Sequence, residues 1–545
     1  MATVGETPTL FLRKATGLVK GWSRRDAFIY SFMSVNLITL GLYFAFSVLA
    51  FVPNGQVLLA VIISGVLITF LVITYAGLIS AMPRAGGDYV WQSRVLGGGI
   101  AFVLAVTGWW FILWHWAPIY ANILSVEVLQ PLFAIFKWSG AVTWLGTHNG
   151  IFITSVGTIV LAGFLVSLGM EGYARVQRFC FYVGMVALAV MLLILVFGSK
   201  SGFASAFNRE AANLFGAKGD VYKATLTTAA TGNAVPAMKL SLSPFFGASL
   251  LLVPFMAFWI LWPNWGATLY GEVRGAGDFR KVMGGMMWGL WVTIGLSVIL
   301  VLLMAKTFGW QFFNAANANY WFPLYGGTAA PTIPIFPYPP LLASFYIHSA
   351  IFQAIVVLAF GTWFLGWAGT LFLSSTRVVF AAAFDRILPE WAARVSERRH
   401  VPFGALALML FPSVIISAFY AYKSGFITYT LDATLVIAVT FFGTAIAAMI
   451  LPWRKKSLYQ NSAIAKYNVG GIPLITLTGG ITAAFLGWML FKWFTDDLYA
   501  INNSTSLKYL AAMYGLAIVV YAIAYFVRRS QGINLKSIHQ EIPVD

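Results

Sequence analysis

Residues 251–272 read LLVPFMAFWILWPNWGATLYGE, a run apolar enough to cross a bilayer yet interrupted by WPNWG at 262–266. In hydrocarbon every backbone N–H and C=O needs a partner, and proline removes a donor while blocking the bond one turn back. Such a break survives only where protein or a polar cavity receives the freed groups. The stretch therefore predicts a membrane helix that unwinds at mid-depth and lines a site.

The rest of the chain is of the same kind. Its 545 residues are 60% hydrophobic, 17% aromatic and 9% charged, with a mean hydropathy of +0.82. A soluble domain carries roughly 25% charged residues. Runs of membrane-spanning length fall near 26–50, 56–81, 99–127, 150–169, 178–198, 247–271, 282–305, 343–380, 402–421, 427–452, 471–494 and 507–527. They predict an all-α polytopic membrane protein of about twelve helices.

The N-terminal segment lacks the apolar core of a secretory signal and is expected to stay in the cytoplasm. With that end inside, 24 of the 34 Lys and Arg residues fall on inner segments and 10 on outer ones. This positive-inside asymmetry places both termini in the cytoplasm and the protein in the cell membrane. It assigns the net charge of +17 to anionic lipid headgroups rather than nucleic acid. The single cysteine, Cys180, excludes an internal disulfide and reads as a small buried hydrophobe. No Walker lysine motif, HExxH, GxSxG or cluster of metal ligands occurs, which argues against an enzyme and calls for no cofactor. Oligomeric state is not legible.

A second interruption matches the first. The span beginning DAFIYSFMSVNLITLGLYF carries Ser34, Asn36, Thr39 and Gly41 at its middle. Counted from Asp26 and from Glu272, Asn36 and Asn264 both lie roughly 12–15 Å deep, near the centre of the hydrocarbon core. Two midplane breaks in helices of opposite direction are what an inverted repeat predicts. The resulting organisation is an N-terminal segment 1–25, repeat one 26–198, an outer segment 199–246, repeat two 247–452, two further spans within 453–527, and a tail 528–545. The outer segments 199–246 and 306–342 read as lids, partner surfaces or loose connectors. The Asn502-Asn503-Ser504-Thr505 sequons read as an unmodified turn.

ISAMPRAGGDYVWQSRVLGG (79–98) resembles the first cytoplasmic loop of the amino acid–polyamine–organocation (APC) permeases. Pro83 ends a span, Gly86-Gly87 allow a tight re-entry, and Tyr89 and Trp91 suit the interface. GMEGYARVQRFCFYVG (169–184), GEVRGAGDFRKVM (271–283) and SSTRVVFAAAFDRILPEWAARVSERRHVPFGAL (374–406) are similar to later loops of that family. The resemblance implies the five-plus-five inverted repeat named after the bacterial leucine transporter, with broken helices 1 and 6. In place of the family's Gly-X-Gly run stands SVNLITLG, and in place of Gly-aromatic stands WPNWG.

It also implies a site. Ser34, Asn36, Leu37, Ile38, Thr39 and Gly41 would meet a substrate carboxylate at the first break. Trp259, Leu261, Trp262 and Asn264 would meet its amine, with Trp262 or Trp265 closing over it. Tryptophans there suit a ligand with an aromatic, aliphatic or cationic portion. Two coupling schemes stay open: a proton on His115, the central titratable group of GWWFILWHWAPIY, or sodium at Ser374 and Ser375. Glu127 and Asp432 are expected at helix ends in contact with water. The leading reading is a secondary transporter of amino acids or small amines. The alternatives are a transporter-shaped subunit or receptor that does not transport, and a permease for nucleobases or other organocations.

Overall fold

The computed structural model describes residues 17–241, 246–325, 329–423, 426 and 428–541. Among them are 12 helices long and apolar enough to span a membrane. In order they are Arg24–Ala45, Val57–Ala81, Gly98–Ile135, His148–Ser167, Gly169–Phe197, Gly247–Glu272, Phe279–Leu324, Ala350–Phe384, Phe403–Tyr422, Asp432–Arg454, Leu474–Thr495 and Ser504–Ser530, called spans 1 to 12. Among the described residues strand is confined to a hairpin pairing Asn468–Val469 with Ile472–Pro473. Phe197, Trp288, Phe411 and Phe526 are exposed on the perimeter, as expected for side chains facing lipid rather than water. The protein is an all-α, multi-pass integral membrane protein.

Three boundaries differ from the sequence reading, each for a physical reason. Span 5 begins at Gly169, because the basic stretch up to Arg178 continues the helix instead of preceding it. Span 7 continues past Met304 through a π-helical turn at Ala305–Gly309 and is interrupted at Gly309, φ +87°, after which a second helix, Trp310–Trp321, follows. Span 3 extends to Ile135 by the same device at Ser125–Leu129. Much of the expected outer segment 306–342 is therefore helix.

Spans 1 and 6 organise the interior. Span 1 is helical over Arg24–Val35, turns at Asn36 and resumes as the π-helix Leu37–Ala45; these halves are 1a and 1b. Span 6 is helical over Phe246–Ile260, unwinds, and resumes as the 3-10 helix Trp265–Glu272; these are 6a and 6b. The halves pack antiparallel. Ser31 donates to the Pro263 carbonyl at 2.8 Å, while Gly41 lies so close to Trp259 that a Cβ would stand 3.1 Å from its Nε1. The Asn36 turn is thus level with the unwound stretch of span 6.

We call the end of the bundle that carries Trp22 the base and the opposite end the crown. At the base, Trp22 pairs with Val273 in a parallel bridge and its Nε1 donates to the Met170 carbonyl at 2.6 Å. Helix Gly87–Val95, between spans 2 and 3, is wholly buried there. Gly86 and Gly87 have φ of +99° and +40°, the tight re-entry expected of them. Tyr89 and Trp91 do not sit at an interface, however. Both are buried, Trp91 donating to Met82 and Tyr89 to Asp385, because this helix tucks beneath the bundle instead of lying along the membrane surface. At the crown, Trp321 of helix Trp310–Trp321 and the buried Phe336 pack on Tyr43 of span 1, while helix Lys200–Phe215 packs against the end of span 3.

Candidate functional site

Between the breaks lies a narrow space lined by Ser34, Leu40, Trp116, Tyr120, Trp262, Trp265, Trp367 and Thr370. Every lining residue is buried. Its wall is aromatic. Trp116 stacks parallel to Trp265 at 5.5 Å, Trp262 stands edge-on to both, and Tyr120 stacks on Trp367 at 3.7 Å. Spans 1, 3, 6 and 8 each contribute a side.

The broken backbones supply the polar groups. Asn36 takes a left-handed conformation, φ +39°, which only short polar residues and glycine tolerate readily. Its side-chain oxygen accepts from the Thr39 amide at 3.0 Å, its carbonyl accepts from Leu40 and Gly41, and its Nδ2 donates to the Trp363 carbonyl at 3.2 Å. Asn36 thus satisfies Thr39 and Gly41 itself, leaving Leu37 and Ile38 as the leading amides of 1b that it does not reach. In span 6, Pro263 has no N–H to give the Trp259 carbonyl four residues earlier. The carbonyls of Trp262, Pro263 and Asn264 accept from Trp265, Ser31 and Ala267 respectively. Leu261 is buried at the start of the unwound stretch.

Of the residues nominated from sequence, Ser34, Trp262 and Trp265 line the space; the others shape the two breaks. The aromatic walls from spans 3 and 8 went unnominated, since tryptophans at helical spacing read first as core.

The coupling candidates fall elsewhere. His115 is buried but is absent from the cavity wall; its Nε2 meets the Tyr509 hydroxyl of span 12 and its ring stacks on Phe426. Ser374 donates to the Trp265 carbonyl at 2.8 Å and meets the Tyr30 hydroxyl at 2.8 Å, joining spans 1, 6 and 8. Ser375 bonds back to Phe372 of its own helix at 3.0 Å. Glu127 and Asp432 are not at water-exposed helix ends. They are 1% and 0% exposed, because Thr39 of 1b and Tyr338 lie against Glu127 and Ser506 of span 12 lies against Asp432.

The base is held by two-armed ion pairs. Arg377 Nε and Nη2 reach Glu272 at 2.7 and 3.0 Å, and Arg94 Nη2 reaches Asp385 at 2.8 Å. All four side chains are buried. Asp88, at 0% exposure, stands outside these pairs and, like Glu127 and Asp432, forms no ion pair among the described residues; it accepts only from neutral donors.

Comparison with individual curated proteins finds no match. A family model described as amino acid permease matches residues 26–523, nearly the whole chain, and the protein belongs to this family of the APC superfamily.

Proposed function

We propose that the protein is a secondary active transporter carrying an amino acid, or an amine of similar size, by alternating access, with its substrate held between the breaks of spans 1 and 6. The observation that carries this reading is the aromatic space lying against both breaks. Its lining of Trp116, Tyr120, Trp262, Trp265 and Trp367 beside two polar backbone breaks suits a small zwitterion with an apolar or cationic side chain, for which the space must widen on binding. The substrate carboxylate would lie at the start of 1b, where the Leu37 and Ile38 amides and the helix dipole favour negative charge. The ammonium would lie at the end of 6a, against the carbonyl of Trp259 that Pro263 leaves without its usual partner, and near that of Leu261. Trp116, Trp262 and Trp265 would then enclose the side chain and attract cationic edges.

Within this reading the breaks head two inverted repeats, 26–198 and 247–452, both termini are cytoplasmic and the membrane is the cell's outer one. The buried Arg377–Glu272 and Arg94–Asp385 pairs at the base would open when the site turns inward.

The test is direct. Purified protein is screened by thermal shift against single amino acids, small amines and nucleobases, then by uptake in proteoliposomes. A ligand at about 100 times its Kd stabilises by roughly 2.7 kcal/mol. Stabilisation and uptake by one chemical class would support the proposal. Binding without uptake would favour a receptor or transporter-shaped subunit, and a nucleobase as sole ligand would overturn the amino-acid assignment.

A further inference from the structure

Asp88 sits one layer below the cavity floor. The floor is Trp265; against its base-side neighbour Trp109 the ring centroids are 4.3 Å apart, and Trp109 Nε1 donates to Asp88 Oδ2 at 3.1 Å. Oδ1 accepts from the Tyr75 hydroxyl at 2.5 Å and the Thr444 hydroxyl at 2.6 Å. The three donors come from spans 2, 3 and 10. Around this group the polar atoms are unusually unsatisfied. Both side-chain atoms of Asn264, the Thr268 hydroxyl and Gln92 Oε1 are buried without a partner, and Asn264 faces the Tyr75 hydroxyl.

The surrounding charges are already committed. Helix Gly87–Val95 packs on spans 3, 8 and 10 and on 6b, and meets span 2 through Tyr75. Span 2 brings Tyr75, span 3 the neutral Trp109, and span 10 Thr440 and Thr444. Span 8 brings Arg377 and Asp385, and 6b brings Tyr270 and Glu272. Arg377 pairs with Glu272, and Asp385 with Arg94, Tyr89 and His539. No cation among the described residues forms an ion pair with Asp88.

We propose that Asp88 takes up and releases a proton in the transport cycle and passes its charge state to the span 6 break through Tyr75 and Asn264. This rests on the permease reading above. The donor set dictates where the proton goes. Trp109 can only donate, so Oδ2 must remain an acceptor and a proton must bind Oδ1. The Tyr75 or Thr444 hydroxyl then turns, accepts from Asp88 and donates elsewhere. For Tyr75 the neighbouring group is the Asn264 side chain, in the unwound stretch that lines the cavity; its oxygen is without a partner and becomes the acceptor once the amide turns it toward the hydroxyl. One proton is gained from water, one hydroxyl reverses, and no other bond is made or broken.

Infrared difference spectra of the purified full chain across a pH titration test the site without reference to substrate. The wild type should show a carboxylic-acid C=O band that is lost in Asp88→Asn. In Tyr75→Phe, which removes a donor to the charged form, the band's midpoint should move to higher pH. Identical titrations in wild type and both variants would overturn the proposal, and Tyr75→Phe alone decides if Asp88→Asn does not fold. Coupling is read in pyranine-loaded proteoliposomes offered a mixture of the standard amino acids. Wild type should acidify the interior, whereas Asp88→Asn should exchange amino acids without acidification; acidification by the variant would overturn the coupling role. Wild type that moves no amino acid would sink the permease reading and coupling with it, while the infrared result would still decide whether Asp88 binds the proton.

Discussion

Arg377 of span 8 and Glu272 at the end of half-helix 6b form a two-armed ion pair that is wholly buried, at 2.7 and 3.0 Å. It fastens one end of a broken helix to the wall of the bundle. Removing one partner should cost about 3–5 kcal/mol, because the other is left as an unpaired buried charge. Arg377→Met should therefore lower the unfolding midpoint sharply, and Glu272→Leu with Arg377→Met should regain most of the loss. If the double variant is as unstable as the single, the pair contributes by packing and not by charge.

Gly87 is needed for two separable reasons. Its φ of +40° disfavours any Cβ, and a Cβ there would stand 2.9 Å from the Thr268 backbone of 6b. Gly216 has a φ of +67° with open space around it. Gly216→Ala should cost only the left-handed penalty of about 1 kcal/mol, while Gly87→Ala should cost clearly more and displace 6b. Equal melting temperatures for the two variants would refute the steric half of the argument.

The C-terminal tail docks on the base by a histidine. His539 is buried beneath Gly98 beside Tyr89 and Asp385, and the Arg94 guanidinium donates to the Glu541 carbonyl. Burial holds His539 below its ordinary value of about 6.5, more than Asp385 raises it. A detached tail therefore takes up a proton before a docked one does, so docking is complete above about 6.5 and weakens as pH falls through the lower docked value. Mobility of a spin label at Lys536→Cys should rise on acidification, and His539→Gln should abolish the pH dependence. A flat profile in the wild type would show that the tail does not dock through His539.

Much of this was legible because hydrocarbon enforces backbone pairing so strictly. WPNWG could only be a break, and Asn36 stood out as the polar centre of an otherwise apolar span. The facing of side chains was harder to read. Span 3 changes from π-helix over Phe102–Phe111 to 3-10 helix over Ile112–His115, which shifts the helical phase. A regular helix gives no means of seeing that Trp116 faces the cavity while His115 faces span 12. Asp88 was hidden for another reason: GGDY reads as a loop at the membrane surface, and only the tertiary fold shows the loop turning inward.

Trp116 stacks on Trp265 across the cavity and should set its size. Trp116→Ala should enlarge the space, weaken binding of the smallest ligands and admit bulkier ones, with a stability cost of about 3–5 kcal/mol. Thermal-shift ranking of glycine, leucine and tryptophan against wild type and variant measures this. An unchanged ranking would mean that Trp116 does not border the bound substrate.

Asn264 separates stability from function. Both of its side-chain polar atoms are buried without a partner, a condition that costs roughly 1–3 kcal/mol in a resting protein. Asn264→Leu replaces them with apolar volume of similar size and should leave the melting temperature equal or higher. Yet the same substitution removes the group that faces Tyr75 and a polar member of the unwound stretch, so ligand-induced stabilisation should fall by about 1–3 kcal/mol. A functional residue kept at the expense of stability gives this opposed pair of results, whereas a structural one loses stability first. Loss of melting temperature with unchanged ligand response would assign Asn264 to the scaffold and would cut the route drawn from Asp88 to the break.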